Sequence, residues 1–175
     1  MAVDAGVTSP ATAEGATADL TAVYVEGLRA GLVGAAVIAL WFLVLDTLQG
    51  RPFYTPHVLG TALMHAGRAW APGETSRVDF ETVVSFTWVH VLAFLLIGVA
   101  AARLLAVAER YPNFGFGILL LFVVVQCTFV GACVLFAEPV LHALAWPAVL
   151  VGNLLAAGAM AVVFWRGHPR LAIRP

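Results

Sequence analysis

The stretch TVVSFTWVHVLAFLLIGVAAA, residues 82–102, contains no Asp, Glu, Lys or Arg. At about 1.5 Å of rise per residue, a helix of this length crosses the roughly 30 Å hydrocarbon core of a bilayer. Similar apolar stretches run from Ala30 to Leu45, from Phe114 to Ala137 and from Ala143 to Trp165. The sequence therefore predicts an all-α, polytopic membrane protein with a bundle of four transmembrane helices.

The predicted bundle occupies residues 19–167 and has two polar tails. The predicted spans are residues 27–48, 82–103, 114–137 and 143–165. Residues 1–18 are rich in Ala, Thr and Gly and are predicted to form a disordered cytoplasmic tail, and residues 168–175 form a second cytoplasmic tail. A chain of 175 residues leaves little room for a separate soluble domain beside four spans.

The distribution of Arg predicts the orientation of the bundle. With the N-terminus inside, the inner residues are Arg29, Arg103, Arg110, Arg166, Arg170 and Arg174, and the outer residues are Arg51, Arg68 and Arg77. Because loops on the cytoplasmic side carry an excess of basic residues, both termini are predicted to be cytoplasmic. The biased use of Arg, with no Lys in the chain, is typical of a bacterial genome, and we expect the bacterial inner membrane.

The connection between the first two spans, residues 49–81, contains a predicted helix at about residues 56–66. Thr55 can cap this helix, with Pro56 at its first position. Apolar residues then recur with helical spacing at Val58, Leu59, Ala62, Leu63 and Ala66. We expect a short amphipathic or re-entrant helix on the external side of the bundle.

This connection begins with GRPFYTP, residues 50–56, which follows a Gly-rich first span. Together with the four-helix layout, it resembles a family of small, uncharacterised bacterial inner-membrane proteins. The resemblance covers most of the chain but brings no known chemistry with it. No site residue, cofactor or activity is therefore assigned from the resemblance.

Small residues predict where the spans approach one another. They are Gly31, Gly34 and Ala35 on the first span, Gly98 and Ala102 on the second, and Gly152, Ala156 and Met160 on the fourth. Such ridges allow two transmembrane backbones to come into close contact. We expect them to build the bundle rather than to bind a ligand.

Three polar residues within the predicted spans, His90, Gln126 and Asn153, are candidates for a site inside the membrane. Counted from the outer ends of their spans, all three lie about 12–15 Å deep, near the midplane. Polar groups in hydrocarbon cost free energy unless they are paired. One interpretation is a site that binds an ion, a proton or a quinone-like head group. The interpretation that we favour is a hydrogen-bond cluster that fixes the register of the helices.

A second group of candidates lies at the predicted outer end. The group comprises Asp46, Arg51, His57, His65 and His142. An ion pair between Asp46 and Arg51 is the favoured explanation of the carboxylate, and the alternative places Asp46 in a polar pocket under the loop helix. We expect two or more members of this group to converge there, with the loop acting as a lid.

A metal or haem cofactor is possible in principle but disfavoured by spacing. His57 and His65 are eight residues apart, which is more than two helical turns, so a straight helix cannot present both to one ion. A b-type haem requires two axial His at similar depth, and only His90 lies well within a span. The sequence leaves the cofactor unknown.

The sequence contains no nucleophile elbow, phosphate-binding Gly loop or HExxH motif, which disfavours an enzyme. The leading hypothesis is a small integral inner-membrane protein of non-catalytic accessory, assembly or binding type. One alternative is permeation of small solutes or ions along the midplane layer, and the other is a metal- or haem-binding redox subunit. Expected partners are the lipid bilayer and either a second copy or a larger membrane complex, with no nucleic acid because no basic stripe exists.

Overall fold

The computed structural model describes residues 10–65, 77–110 and 146–167. These residues form four helices, namely α1 (Pro10–Leu48), α2 (Tyr54–Met64), α3 (Phe80–Arg110) and α4 (Trp146–Gly167). Three candidate membrane spans are long and apolar enough to cross a bilayer, at Leu20–Leu48, Phe80–Val107 and Pro147–Gly167. The described part of the chain is therefore entirely helical, as predicted. The predicted span at residues 114–137 lies outside the described residues.

Helix α1 is longer than the sequence predicted, because it begins at Pro10 and runs for 39 residues. The prediction of a disordered tail is thus wrong for residues 10–18. The Ala-rich composition explains the difference, since Ala has the highest helix propensity and an existing helix grows without a new nucleation cost. Pro10 suits the first position of the helix, where its missing N–H would have no partner in any case.

Helices α1 and α3 cross with their backbones in contact. A Cβ atom added at Gly27 would lie 2.6 Å from the Cα atom of Val99, and one added at Gly98 would lie 2.8 Å from the Cα atom of Gly31. Only glycine fits such an approach, which confirms the predicted contact between the small residues of these two spans. Gly27 extends the predicted ridge by one turn and completes a Gly-x-x-x-Gly motif with Gly31.

Helix α4 packs against another face of α1. A Cβ atom added at Gly34 would lie 2.7 Å from Sδ of Met160, which is buried. Nearer α2, the Trp41 indole lies over Gly152, and its Nε1–H donates a hydrogen bond of 2.9 Å to the carbonyl oxygen of Ala148. The small-residue ridge predicted for this span is therefore also confirmed.

The exterior of the three long helices is apolar. Trp88 and Leu154, for example, are 73% and 64% exposed, whereas the most buried residues of these helices include Ala30, Ala35 and Ala156. Small residues inside and large apolar residues outside reverse the pattern of a water-soluble protein. This arrangement is compatible with the three spans being surrounded by lipid.

Candidate functional site

The end of α1 turns into α2 through a glycine-dependent motif. Gly50 adopts φ +72, its N–H bonds to the Thr47 carbonyl at 3.0 Å, and the Arg51 N–H bonds to the Asp46 carbonyl at 2.8 Å. This pair of bonds is the Schellman arrangement, in which the residue with positive φ is usually Gly. The motif ends α1 at Leu48 and directs the chain back over the end of the bundle.

The side chain of Asp46 caps the start of α2. Its Oδ2 accepts the backbone N–H of Thr55, and its Oδ1 accepts the Thr55 hydroxyl hydrogen, each at 2.7 Å. Both residues are buried. The first turn of a helix has N–H groups without intrahelical partners and the positive end of the helix dipole, so it stabilises a carboxylate. This contact offsets the unfavourable position of Asp46 at the negative end of α1.

The expected ion pair between Asp46 and Arg51 is wrong. The Arg51 guanidinium donates to Oε1 of Gln49 at 3.2 Å and lies over the Tyr54 ring, 4.2 Å from its centroid. The short turn carries Arg51 away from the buried carboxylate and toward the surface, where its charge remains hydrated. The alternative placed Asp46 in a polar pocket under the loop helix; the carboxylate is buried and bonded to Thr55 at the start of α2, and the pocket stays a prediction.

Helix α2 begins two residues earlier than the sequence predicted. Phe53 is the N-cap residue, at φ 64, and Tyr54 is the first residue of the helix. The prediction that Thr55 caps the helix and Pro56 starts it is therefore wrong. The reason is that Asp46, nine positions earlier in the chain, supplies the capping acceptor, so the helix needs none from its own N-cap residue.

His57 connects α2 to the start of α3. Its ring is buried, at 3% exposure, and Nδ1 accepts the backbone N–H of Asp79 at 3.2 Å. An acceptor at Nδ1 places the hydrogen of the neutral ring on Nε2. Nε2 is itself buried and has no hydrogen-bond partner among the described residues. A buried donor of this kind costs about 1–3 kcal/mol unless something binds it.

Asp79 caps α3 in the same way that Asp46 caps α2. Its Oδ2 accepts the Thr82 N–H at 3.0 Å and the Thr82 hydroxyl hydrogen at 2.6 Å. These bonds from Thr82, and to a smaller extent the nearby His57, lower the pKa of Asp79 below its usual 3.8. Asp79 was not among the predicted site residues, although an Asp immediately before an apolar run is a recognisable N-cap signal.

We refer to Asp46, Thr55, His57, Asp79 and Thr82 as the α2 cluster. Its hydrogen bonds join α2 to α1 and to α3. Apolar contacts support them, because the fully buried Val58 packs against Phe42 of α1 and Val149 of α4. Helix α2 is thus fixed to three other helices.

The inner face of α2 carries polar residues beside the buried Val58, and large apolar residues lie on its outer face. Thr55, His57 and Thr61 are buried, whereas Leu63 and Met64 are 51% and 58% exposed. Leu63 has helical spacing with Val58, but it is exposed whereas Val58 is fully buried. Exposed large apolar groups on the outer face are expected where that surface contacts lipid rather than water.

Of the midplane candidates, the structure describes His90 and Asn153. His90 Nε2 donates a hydrogen bond of 3.2 Å to the Ala35 carbonyl of α1, and its ring lies between Phe86 and Phe94, with centroid distances of 5.9 and 4.9 Å. Within the described residues it joins α3 to α1, and it makes no hydrogen bond to Asn153, which is half-buried on α4. Gln126 lies outside the described residues.

The remaining histidines do not complete a metal site in the described part of the chain. His65 Nδ1 lies 2.8 Å from the Thr61 carbonyl and helps to end α2, and His142 lies outside the described residues. Residues 10–65, 77–110 and 146–167 contain no group of three His, Cys, Asp or Glu placed to share one metal ion.

Comparison of the chain with known proteins found no matching family model, no matching curated protein and no matching solved structure. Function is therefore inferred from the chain's own geometry. The α2 cluster can hold a helix in place, and it offers one buried donor, Nε2 of His57, to a further group.

Proposed function

We propose that this chain is a small integral protein of the bacterial inner membrane, of non-catalytic accessory, assembly or binding type. The observation that carries the proposal is the α2 cluster, in which Asp46 and Asp79 both accept hydrogen bonds that fix helix ends. Both oxygens of the buried Asp46 accept a hydrogen bond, which makes this carboxylate poorly suited to act as a general base or as a nucleophile. The polar chemistry of the α2 end therefore serves the architecture.

The proposed orientation places α2 outside and both termini in the cytoplasm. It follows from the Arg distribution and is open to a direct test. A cysteine introduced at Arg77, which is exposed just before α3, should react with a membrane-impermeant thiol reagent in intact cells. For this test Cys127 and Cys133 are first replaced by Ser, so that the new thiol is the only one. Reaction only after lysis would contradict the proposed orientation.

An accessory protein of this kind meets its partners within the membrane plane. The exposed apolar residues Leu40 on α1, Trp88 on α3 and Leu154 on α4 mark three different lateral faces. Photo-crosslinking amino acids at these three positions should yield a discrete protein adduct from one face. The same group at the buried Ala35 is the matched control and should give no intermolecular adduct.

Purified protein then separates this function from the two alternatives. We expect an absorbance spectrum without cofactor bands, less than one metal ion per chain and no solute or ion flux in liposomes. Stoichiometric metal or a haem spectrum would favour the redox alternative, and flux above that of empty liposomes would favour permeation. The proposal would be overturned if one of these two results were obtained and the photo-crosslinkers formed adducts with lipid but with no protein.

One observation favours a second candidate, in which the α2 end binds a small ligand or metal ion. His57 Nε2 is buried without a partner in the described residues, and imidazole is a common ligand and hydrogen-bond donor. The variant His57→Asn keeps an acceptor for the Asp79 N–H but lacks Nε2. Loss of bound metal in this variant, with α2 still protected from hydrogen exchange, would support the second candidate.

A further inference from the structure

A groove lies between α1 and α4 at the end of the bundle opposite α2. Its volume is about 1180 Å³, and its lining includes Leu32 and Val33 of α1 and Val163 of α4. Arg29 and Arg166 also line it. The groove therefore combines an apolar wall with two cationic groups.

The two cations differ from Arg103, which lies nearby on α3. Arg103 donates a hydrogen bond to the Tyr24 hydroxyl and lies over the Tyr24 ring, 4.6 Å from its centroid. Arg29 and Arg166 are exposed, and neither guanidinium has a hydrogen-bond acceptor or an ion-pair partner in the described part of the chain. Glu26 is the acidic residue in the lining, so two positive charges stand against one negative charge.

Both guanidinium groups can reach the level of the lipid head groups. Arg166 lies in the last turn of the candidate span Pro147–Gly167, and a Cβ atom at Gly167 would contact the Glu26 carboxylate. Glu26 thus marks the depth at which α4 ends. Arg29 is three residues further along α1, about 4.5 Å deeper, which its long side chain can span by extending toward the interface.

We propose that this groove binds an anionic phospholipid. The phosphate lies between Arg29 and Arg166, and an acyl chain runs along Leu32, Val33 and Val163. Arginine suits this role because its planar guanidinium donates two parallel hydrogen bonds to a phosphate. Basic pockets between transmembrane helices on the cytoplasmic side are a known type of anionic-lipid site, and the proposed orientation places this end of the bundle in the cytoplasm.

The proposal does not depend on the accessory role proposed above, but it rests on the proposed location in a bilayer with this end of the bundle on the cytoplasmic side. A zwitterionic lipid carries a phosphate together with a choline, so its head group has no net charge to offer the two cations. The groove is therefore expected to select phosphatidylglycerol over phosphatidylcholine. Lipid bound non-specifically to the apolar surface would show no such preference.

The test is native mass spectrometry of the full chain released from micelles containing equal amounts of phosphatidylglycerol and phosphatidylcholine. The wild type should retain phosphatidylglycerol preferentially. Arg29→Gln and Arg166→Gln should each lower this retention about fivefold, and the double variant about 25-fold, because each basic residue near an anionic head group contributes independently. Retention of phosphatidylcholine should not change.

Three controls make the outcome decisive. Arg51→Gln, at the opposite end of the bundle, should retain as much phosphatidylglycerol as the wild type. The double Arg→Lys variant at positions 29 and 166 keeps both charges but loses the paired guanidinium donors, so its retention of phosphatidylglycerol should lie between that of the wild type and that of the double Gln variant. Inorganic phosphate at 10 mM should not displace the lipid, whereas displacement would show that the site takes a free anion and would overturn the lipid proposal.

Equal retention of the two lipids by the wild type would overturn the proposal. Unchanged selectivity in the double Gln variant would do the same. Either result is expected if the groove is filled by another segment of this chain, such as the predicted span at residues 114–137.

Discussion

Replacing Asp46 by Ala removes the contact that fixes α2 to the end of α1. The substitution leaves the buried Thr55 N–H and hydroxyl without their acceptor, since Asp46 accepts both at 2.7 Å. An unsatisfied buried N–H costs about 1–3 kcal/mol, and loss of the hydroxyl bond adds about 1 kcal/mol. Removing a buried charge also removes its desolvation cost. We therefore expect α2 to open about 2 kcal/mol more easily.

Hydrogen–deuterium exchange of the chain in lipid nanodiscs measures this opening directly. A change of about 2 kcal/mol corresponds to roughly 30-fold faster exchange of the α2 amides, with little effect on the centres of α1 and α3. Asp46→Asn is the matched control, because its amide oxygen can still accept the Thr55 N–H, and it should cost about 1 kcal/mol or less. Exchange in Asp46→Ala that matches the wild type at every α2 amide would refute the reasoning.

Three further predictions concern other contacts. Gly98→Ala should lower the unfolding free energy by about 1–3 kcal/mol in a denaturant titration, because its Cβ would lie 2.8 Å from Gly31 Cα. Position 158 has open space around it, so the control Gly158→Ala should leave the unfolding free energy unchanged or raise it. Trp41→Phe should cost about 1 kcal/mol in the same titration through loss of the bond to Ala148, and an unchanged midpoint would contradict that bond. The pKa of Asp79 is lowered from 3.8, so its stabilising effect is fully present above that value and is lost as the pH falls through the lower folded-state pKa. The difference in unfolding free energy between the wild type and Asp79→Asn should therefore shrink over that acidic range. A difference that stays constant with pH would contradict the Thr82 contacts.

The long helices and their contacts could be predicted from the sequence because both depend on local composition. An uncharged run longer than the bilayer core identifies a span, and small residues such as Gly31, Gly98 and Gly152 mark the places where two backbones can meet. The loop helix was also predicted, since its apolar residues recur with helical spacing. Its true start at Tyr54 differs from the prediction by two residues.

The candidate site could be predicted only in part, because its bonds join residues that are distant in the chain or depend on the environment. Sequence spacing favoured Arg51 as the partner of Asp46, but the turn at Gly50 brings Thr55 to the carboxylate instead. Helical spacing shows which residues of α2 share a face, but it does not show which face contacts protein. The inward face of α2 carries His57 and Thr61 beside Val58, whereas Leu63 and Met64 are exposed.

The central claim is that α2 is fixed to the bundle by the face that carries Thr55, His57 and Val58 and exposes Leu63 and Met64 to lipid. Nitroxide labels at Val58, Leu63 and Met64, in a background lacking Cys127 and Cys133, test it through their collisions with oxygen and with a water-soluble nickel complex. We predict that Val58 is shielded from both and that Leu63 and Met64 collide more with oxygen than with nickel. Equal and high accessibility of all three positions to nickel would contradict the claim, because α2 would then be an undocked helix in water.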